Sequence, residues 1–109
     1  MAKYVIHTVG PIYQGGNRGE ARLLASAYHE SLKLAHNKGI RSLAFPSLST
    51  GAYGYPLEEA ARIAVKTVAD YLRQHPVFEK VGFVLFGNQA FQAYVQAAAG
   101  ELQVEEKIT

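Results

Sequence analysis

The sequence predicts a small α/β domain, a three-layer α/β/α sandwich around a mostly parallel three-stranded sheet. Three observations predict it. Short β-branched or apolar runs alternate with amphipathic stretches of helical length, and each run closes at a glycine or proline. The third is size: 109 residues with 49% hydrophobic content suffice for one modest core but not for two. Strands alternating with helices in this way pair in parallel through right-handed crossovers.

Residues 4–9, YVIHTV, read as the first strand, stopped at Gly10-Pro11 because proline offers no backbone donor. The following GPIYQGGNRGE is dense enough in glycine to be a surface loop with unusual backbone angles. From Glu20 to about Asn37, Leu24, Ala27, Tyr28, Ser31, Leu32 and Ala35 recur every three or four residues and predict a helix that covers the sheet. Lys38-Gly39 is its stop signal.

RSLAFP, residues 41–46, is the second strand. After the loop SLSTGAYGYP, a second helix carries Leu57, Ala61, Ala64, Val65, Val68 and Leu72 on one side. Pro56 suits its first position, and Glu58 and Glu59 suit its first turn. KVGFVLFG, residues 80–87, is the most apolar strand, and its unbroken run predicts burial on both faces. A third helix follows, with Asn88 as its cap and Phe91, Tyr94 and Val95 on the apolar stripe. The closing ELQVEEKIT alternates weakly and reads either as a frayed tail or as an added edge strand.

Eleven Lys and Arg against nine Asp and Glu leave a formal charge of +2, too small and scattered to support a nucleic-acid surface. There is no cysteine, hence no disulfide or thiolate chemistry, and no apolar stretch approaches the roughly 20 residues that span a bilayer. MAKYVIHTVG turns polar too soon for a signal peptide, so the cytoplasm is the expected compartment.

If all strands are parallel, the loops after residues 9, 46 and 87 share the carboxyl edge of the sheet, where ligands bind in open α/β sheets. The second loop has the makings of an anion cradle. Gly51 and Gly54 can take positive φ and present N–H groups, Ser49 and Thr50 add hydroxyls, and a helix start adds its positive end. Tyr53 and Tyr55 could wall a ring or sugar. The bland alternative is an ordinary Gly/Ser/Thr turn. No lysine follows the glycines as in a P-loop, and the three-glycine dinucleotide spacing is absent. Gly15, Gly16 and Gly19 read as a flexible lead into the first helix, with Arg18 as a phosphate partner at most.

His7 alternates with Val5 and Val9 and reads as a structural histidine; His29, His36 and His75 show no metal-binding spacing. Glu20, Glu30, Glu58, Glu59 and Asp70 fall on helical stretches, where carboxylates are usually solvated. Ser49 has no evident base. No catalytic residue, metal or cofactor is indicated.

HTVGPIYQGG, residues 7–16, followed by a helix and then LAFPSLSTGAYGYPLEEAARIAVKTV, residues 43–68, closely resembles the second half of a macro domain. Proteins of that family bind ADP-ribose or deacetylate O-acetyl-ADP-ribose. The resemblance covers residues 3 to about 99, which makes residues 1–109 a partial macro-like domain. It implies that Ser49, Thr50, Gly51, Ala52, Tyr53 and Gly54 wrap a diphosphate and reach toward the distal ribose. It also implies that Phe86 packs on adenine and that Asn88 makes a neighbouring polar contact. Phe86 is otherwise an ordinary core residue of FVLF.

The family's earlier half, with its adenine-reading acid, Asn-rich strand end and acidic catalytic loop, is absent from this sequence. In the family fold a strand of that half lies between those matching 4–9 and 41–46. The expectation is therefore weak binding of ADP-ribose or a related phosphate-containing nucleotide, without catalysis in isolation. One alternative is an O-acetyl-ADP-ribose deacetylase or ADP-ribosyl hydrolase completed by another chain or segment. Another is a non-binding structural or interaction module. Open sheet edges and uncovered apolar surface predict a homodimer or other homo-oligomer.

Overall fold

The computed structural model describes residues 11–46, 54–98 and 103–107. The predicted first strand, residues 4–9, and most of the loop after residue 46 lie outside them. In chain order the elements are α1 (Glu20–Asn37), β1 (Ser42–Pro46), α2 (Leu57–Gln74), β2 (Lys80–Phe86), α3 (Asn88–Ala98) and β3 (Gln103–Lys107).

β1, β2 and β3 form a parallel sheet in that order, with Phe45 opposite Phe83 and Phe83 opposite Val104. Of the two readings of the chain's last residues, the added edge strand is therefore the one observed. Each strand reaches its neighbour through a helix, as parallel pairing requires. α2 packs against both α1 and α3, and α3 rests on β2 and β3.

Register explains where the core sits. Val81, Phe83 and Leu85 alternate along β2 and are buried, and Phe45 shares their face because it pairs with Phe83. Tyr28 of α1 meets Phe45 and Phe83 edge-on, with centroids 5.2 and 6.1 Å away, while Tyr94 of α3 reaches Phe83 at 5.0 Å. Helices from both flanks thus converge on one ring. Such offset and edge contacts add about 0.5–1.5 kcal/mol per pair beyond burial.

Ser42, Ala44 and Pro46, which alternate onto the opposite face of β1, are exposed. Among the described residues no helix covers that face of β1.

The predicted stripe of α1 is observed: Leu24, Tyr28, Ser31, Leu32 and Ala35 are buried. Ser31 tolerates burial because its hydroxyl donates to the Ala27 carbonyl at 2.8 Å. Gly39, at φ 73°, ends the helix, and the Ile40 N–H reaches back to the Ala35 carbonyl. Along α2, Ala61, Ala64, Val65 and Val68 are buried and Leu57 and Leu72 are partly so.

Three boundaries or stripes differ from expectation. Pro56 precedes α2 rather than opening it, and its carbonyl accepts the Ala60 N–H. Asn88 is already the first helical residue of α3, and the Gly87 carbonyl accepts the Phe91 N–H. In α3 the buried residues are Ala93, Tyr94 and Ala98, whereas Val95 is 41% exposed. Tyr94 sets the helix rotation by reaching Phe83, and Val95 lies about 100° round from it.

Candidate functional site

The carboxyl ends of β1 and β2 lead into the starts of α2 and α3, and α1 begins at the same side because it runs back toward the start of β1. Three chain segments therefore meet there: loop 11–19, the loop that ends at Pro56, and Gly87. Gly87 alone joins β2 to α3, with φ 90°.

Loop 11–19 is built around one carboxylate. Glu20, the first residue of α1, is only 2% exposed. Its Oε2 accepts the N–H groups of Gln14 at 2.6 Å and Gly16 at 3.0 Å, and its Oε1 accepts that of Arg18 at 2.7 Å. Gly15, Gly16 and Gly19 all have positive φ, the conformation that turns alternate amides inward. The hydrogen bond from Gln14 is the largest cause that brings the Glu20 carboxyl from 4.5 down to about 2, with those of Arg18 and Gly16 adding to it and burial opposing. The expectation of a solvated Glu20 and a flexible glycine lead is corrected: the carboxylate is buried and the loop is tied to it. The available signal was three glycines crowded just before a helix-opening glutamate.

Tyr13 links this loop to the next. Its hydroxyl would lie 3.1 Å from a Cβ placed on Gly16, so the side chain folds back over that glycine. Its ring meets the ring of Tyr55 at 4.9 Å and 58°. Tyr55 is buried, and burial, followed by the charges of Glu59 and Glu20, raises its phenol above the usual 10.0.

Of the residues assigned from sequence, Ser49, Thr50, Gly51, Ala52 and Tyr53 lie outside the described residues. Gly54 has φ 75° and is exposed immediately before Tyr55. Phe86 ends β2 opposite Lys107 of β3. Asn88 is exposed at the start of α3. Gly54, Gly87 and Asn88 are thus brought to one edge of the sheet.

A second polar cluster lies at the opposite end of the helices. His36 Nδ1 is 3.0 Å from the Tyr71 hydroxyl, and the rings of His29 and His75 lie 5.4 and 4.7 Å from that of Tyr71. No grouping of three metal-ligating side chains occurs among the described residues.

The sequence profile of the macro domain matches residues 1–64. The chain belongs to the macro domain family. Among its relatives, a macro domain-containing protein of Caldanaerobacter subterraneus is 57% identical over 96 residues, 88% of this chain and 54% of the relative. An O-acetyl-ADP-ribose deacetylase of Citrobacter koseri is 53% identical over 93 residues, 85% of this chain and 52% of the relative. The chain spans about half the length of these curated relatives.

Solved macrodomains superpose well on the fold. That of Trypanosoma brucei, in complex with ADP-ribose, has a TM-score of 0.82 and 35% identity, covering 89% of this chain and 40% of that one. That of Oceanobacillus iheyensis with ADP has a TM-score of 0.81 and 39% identity, covering 86% and 49%. The α/β reading and the macro domain resemblance are therefore both right. Among the described residues no helix is long and apolar enough to cross a membrane.

Proposed function

We propose that this macro domain chain binds ADP-ribose, or a related phosphate-containing nucleotide, at the carboxyl edge of its sheet. The observation that carries the reading is the superposition on a macrodomain complexed with ADP-ribose, at a TM-score of 0.82 over 89% of this chain. Ser49, Thr50, Gly51, Ala52, Tyr53 and Gly54 would hold the diphosphate, with backbone N–H groups at a helix start favouring anions. Phe86 would pack on the adenine and Asn88 would add a polar contact.

Binding by this chain alone is weak, since each buried hydrogen bond that a fuller cleft would supply is worth about 1 kcal/mol or more. Calorimetry with ADP-ribose tests the reading: heat that saturates at micromolar to millimolar ligand supports it, and none at millimolar ligand contradicts it.

The reading includes little or no turnover of O-acetyl-ADP-ribose or ADP-ribosylated protein by the chain alone. Glu20, the buried carboxylate there, has its oxygens engaged by three N–H groups. The 53% identity to an O-acetyl-ADP-ribose deacetylase favours a second reading, hydrolysis once another segment or chain completes the cleft. Acetate release by the purified chain alone would overturn the first reading.

The exposed face of β1 at Ser42, Ala44 and Pro46 supports the further reading that copies associate as a homodimer or other homo-oligomer. Sedimentation at micromolar concentration separates these from a monomer.

A further inference from the structure

Glu20 offers more acceptor capacity than a helix start needs. Its three bonds go to Gln14, Gly16 and Arg18, all preceding it in the chain, so the carboxylate acts as the hub of a loop. A carboxylate accepts at both oxygens, whereas an amide accepts at one. An amide in that place would forfeit at least one of the three bonds that hold loop 11–19.

That shape has a consequence outside the loop. Gly16, held by Glu20 Oε2, is the floor on which Tyr13 lies, and Tyr13 packs in turn on the buried ring of Tyr55. Tyr55 directly follows Gly54, the described end of the diphosphate loop, and precedes Pro56, whose carbonyl starts the hydrogen bonding of α2.

We propose that Glu20 is a positioning residue for the nucleotide site: by gathering three backbone N–H groups it presses Tyr13 onto Tyr55 and so sets the backbone at Gly54. The inference rests on the nucleotide-binding reading, but its structural half stands without ligand. Glu20 spends its oxygens on the loop and not on a ligand. It acts through Tyr13, and the contact ties the loop before α1 to the loop before α2.

The test compares the full chain with E20Q, Tyr13→Leu and the double variant, with Tyr71→Phe as a control. Tyr71 lies at the far end of the helices, so its loss lowers stability without touching this edge. E20Q is expected to weaken ADP-ribose binding by about tenfold, since an amide in that place must forfeit at least one bond to a charged acceptor. Tyr13→Leu weakens it comparably, and the double variant is little weaker than either alone because both cut the same chain of contacts. Tyr71→Phe leaves affinity unchanged.

Amide NMR spectra without ligand supply the second readout. In E20Q the signals of Gly54 and Tyr55 move along with those of Gln14, Gly16 and Arg18. If losses from the two substitutions simply add, or if Gly54 and Tyr55 do not move, the proposal is overturned. If the unaltered chain binds no ADP-ribose while Gly54 and Tyr55 still respond to E20Q, the nucleotide reading fails and the positioning role stands. Should E20Q fail to fold, Tyr13→Leu alone decides, because an unshifted Gly54 signal in that variant contradicts the coupling.

Discussion

The ring of Tyr13 lies 4.9 Å from that of Tyr55, so two loops separated by the whole of α1 and β1 are joined by one aromatic contact. Glu20 holds the first loop from beneath, and Gly54 lies next to the second ring. The edge of the sheet is thereby organised from both sides.

Acid should loosen this arrangement in a defined window. The folded carboxyl of Glu20 titrates at about 2, below its ordinary 4.5, so its contribution is fully present above 4.5 and is lost as pH falls through about 2. Melting temperatures taken downward through that window should fall for the unaltered chain and fall less for E20Q. Equal slopes would deny Glu20 its buried, hydrogen-bonded state.

Alkali acts on two other groups. Burial is the first cause that raises the phenols of Tyr55 and Tyr71 above 10.0, with Glu59 and Glu20 adding at Tyr55 and Glu30 at Tyr71. Their neutral forms favour the fold, so this contribution is complete below 10.0 and is lost as pH rises through the elevated values. Ultraviolet titration should show late-ionising tyrosines, and Tyr55→Phe and Tyr71→Phe should each remove one late step.

The core depends on Phe83, which is fully buried and meets Tyr28, Phe45 and Tyr94. Phe83→Ala should cost about 3–5 kcal/mol in urea unfolding, enough to unfold much of a domain of ordinary stability. Tyr71→Phe, which removes only the hydrogen bond to His36, should cost about 1 kcal/mol.

The buried faces of α1 and α2 were legible in the sequence because they are written in periodicity. Leu24, Tyr28, Leu32 and Ala35 could face inward only together, and all four do. Glu20 was not legible, since a carboxylate in a first helical turn is usually solvated; only the left-handed glycines before it turn three N–H groups toward it. Val95 was misread because apolar character alone does not fix helix rotation, which Tyr94 sets through Phe83. QVEEK is too polar to declare itself, yet it pairs along β2 because the parallel edge there offers backbone partners to any side chains. The proposed diphosphate loop is read from its glycines and hydroxyls, and its residues 49–53 lie outside the described residues.

Gly54 tests that loop at its described end. A Cβ there would meet nothing within 4 Å, so the cost of Gly54→Ala is conformational, about 1–2 kcal/mol for a left-handed backbone. Released strain would change the φ of Gly54, and ADP-ribose affinity should drop about tenfold or more while the core keeps its cooperative melt. Unchanged affinity would remove Gly54 from the site.

The measurement closest to the central claim is an amide NMR titration of the full chain with ADP-ribose, run beside free ribose and inorganic phosphate. Nucleotide binding at this edge predicts saturable shifts confined to Ser49 through Tyr55 and Phe86 through Asn88, larger and at lower concentration than with either fragment. No saturable shift at millimolar ADP-ribose, or shifts centred on His36 and Tyr71 at the other end of the helices, would contradict it.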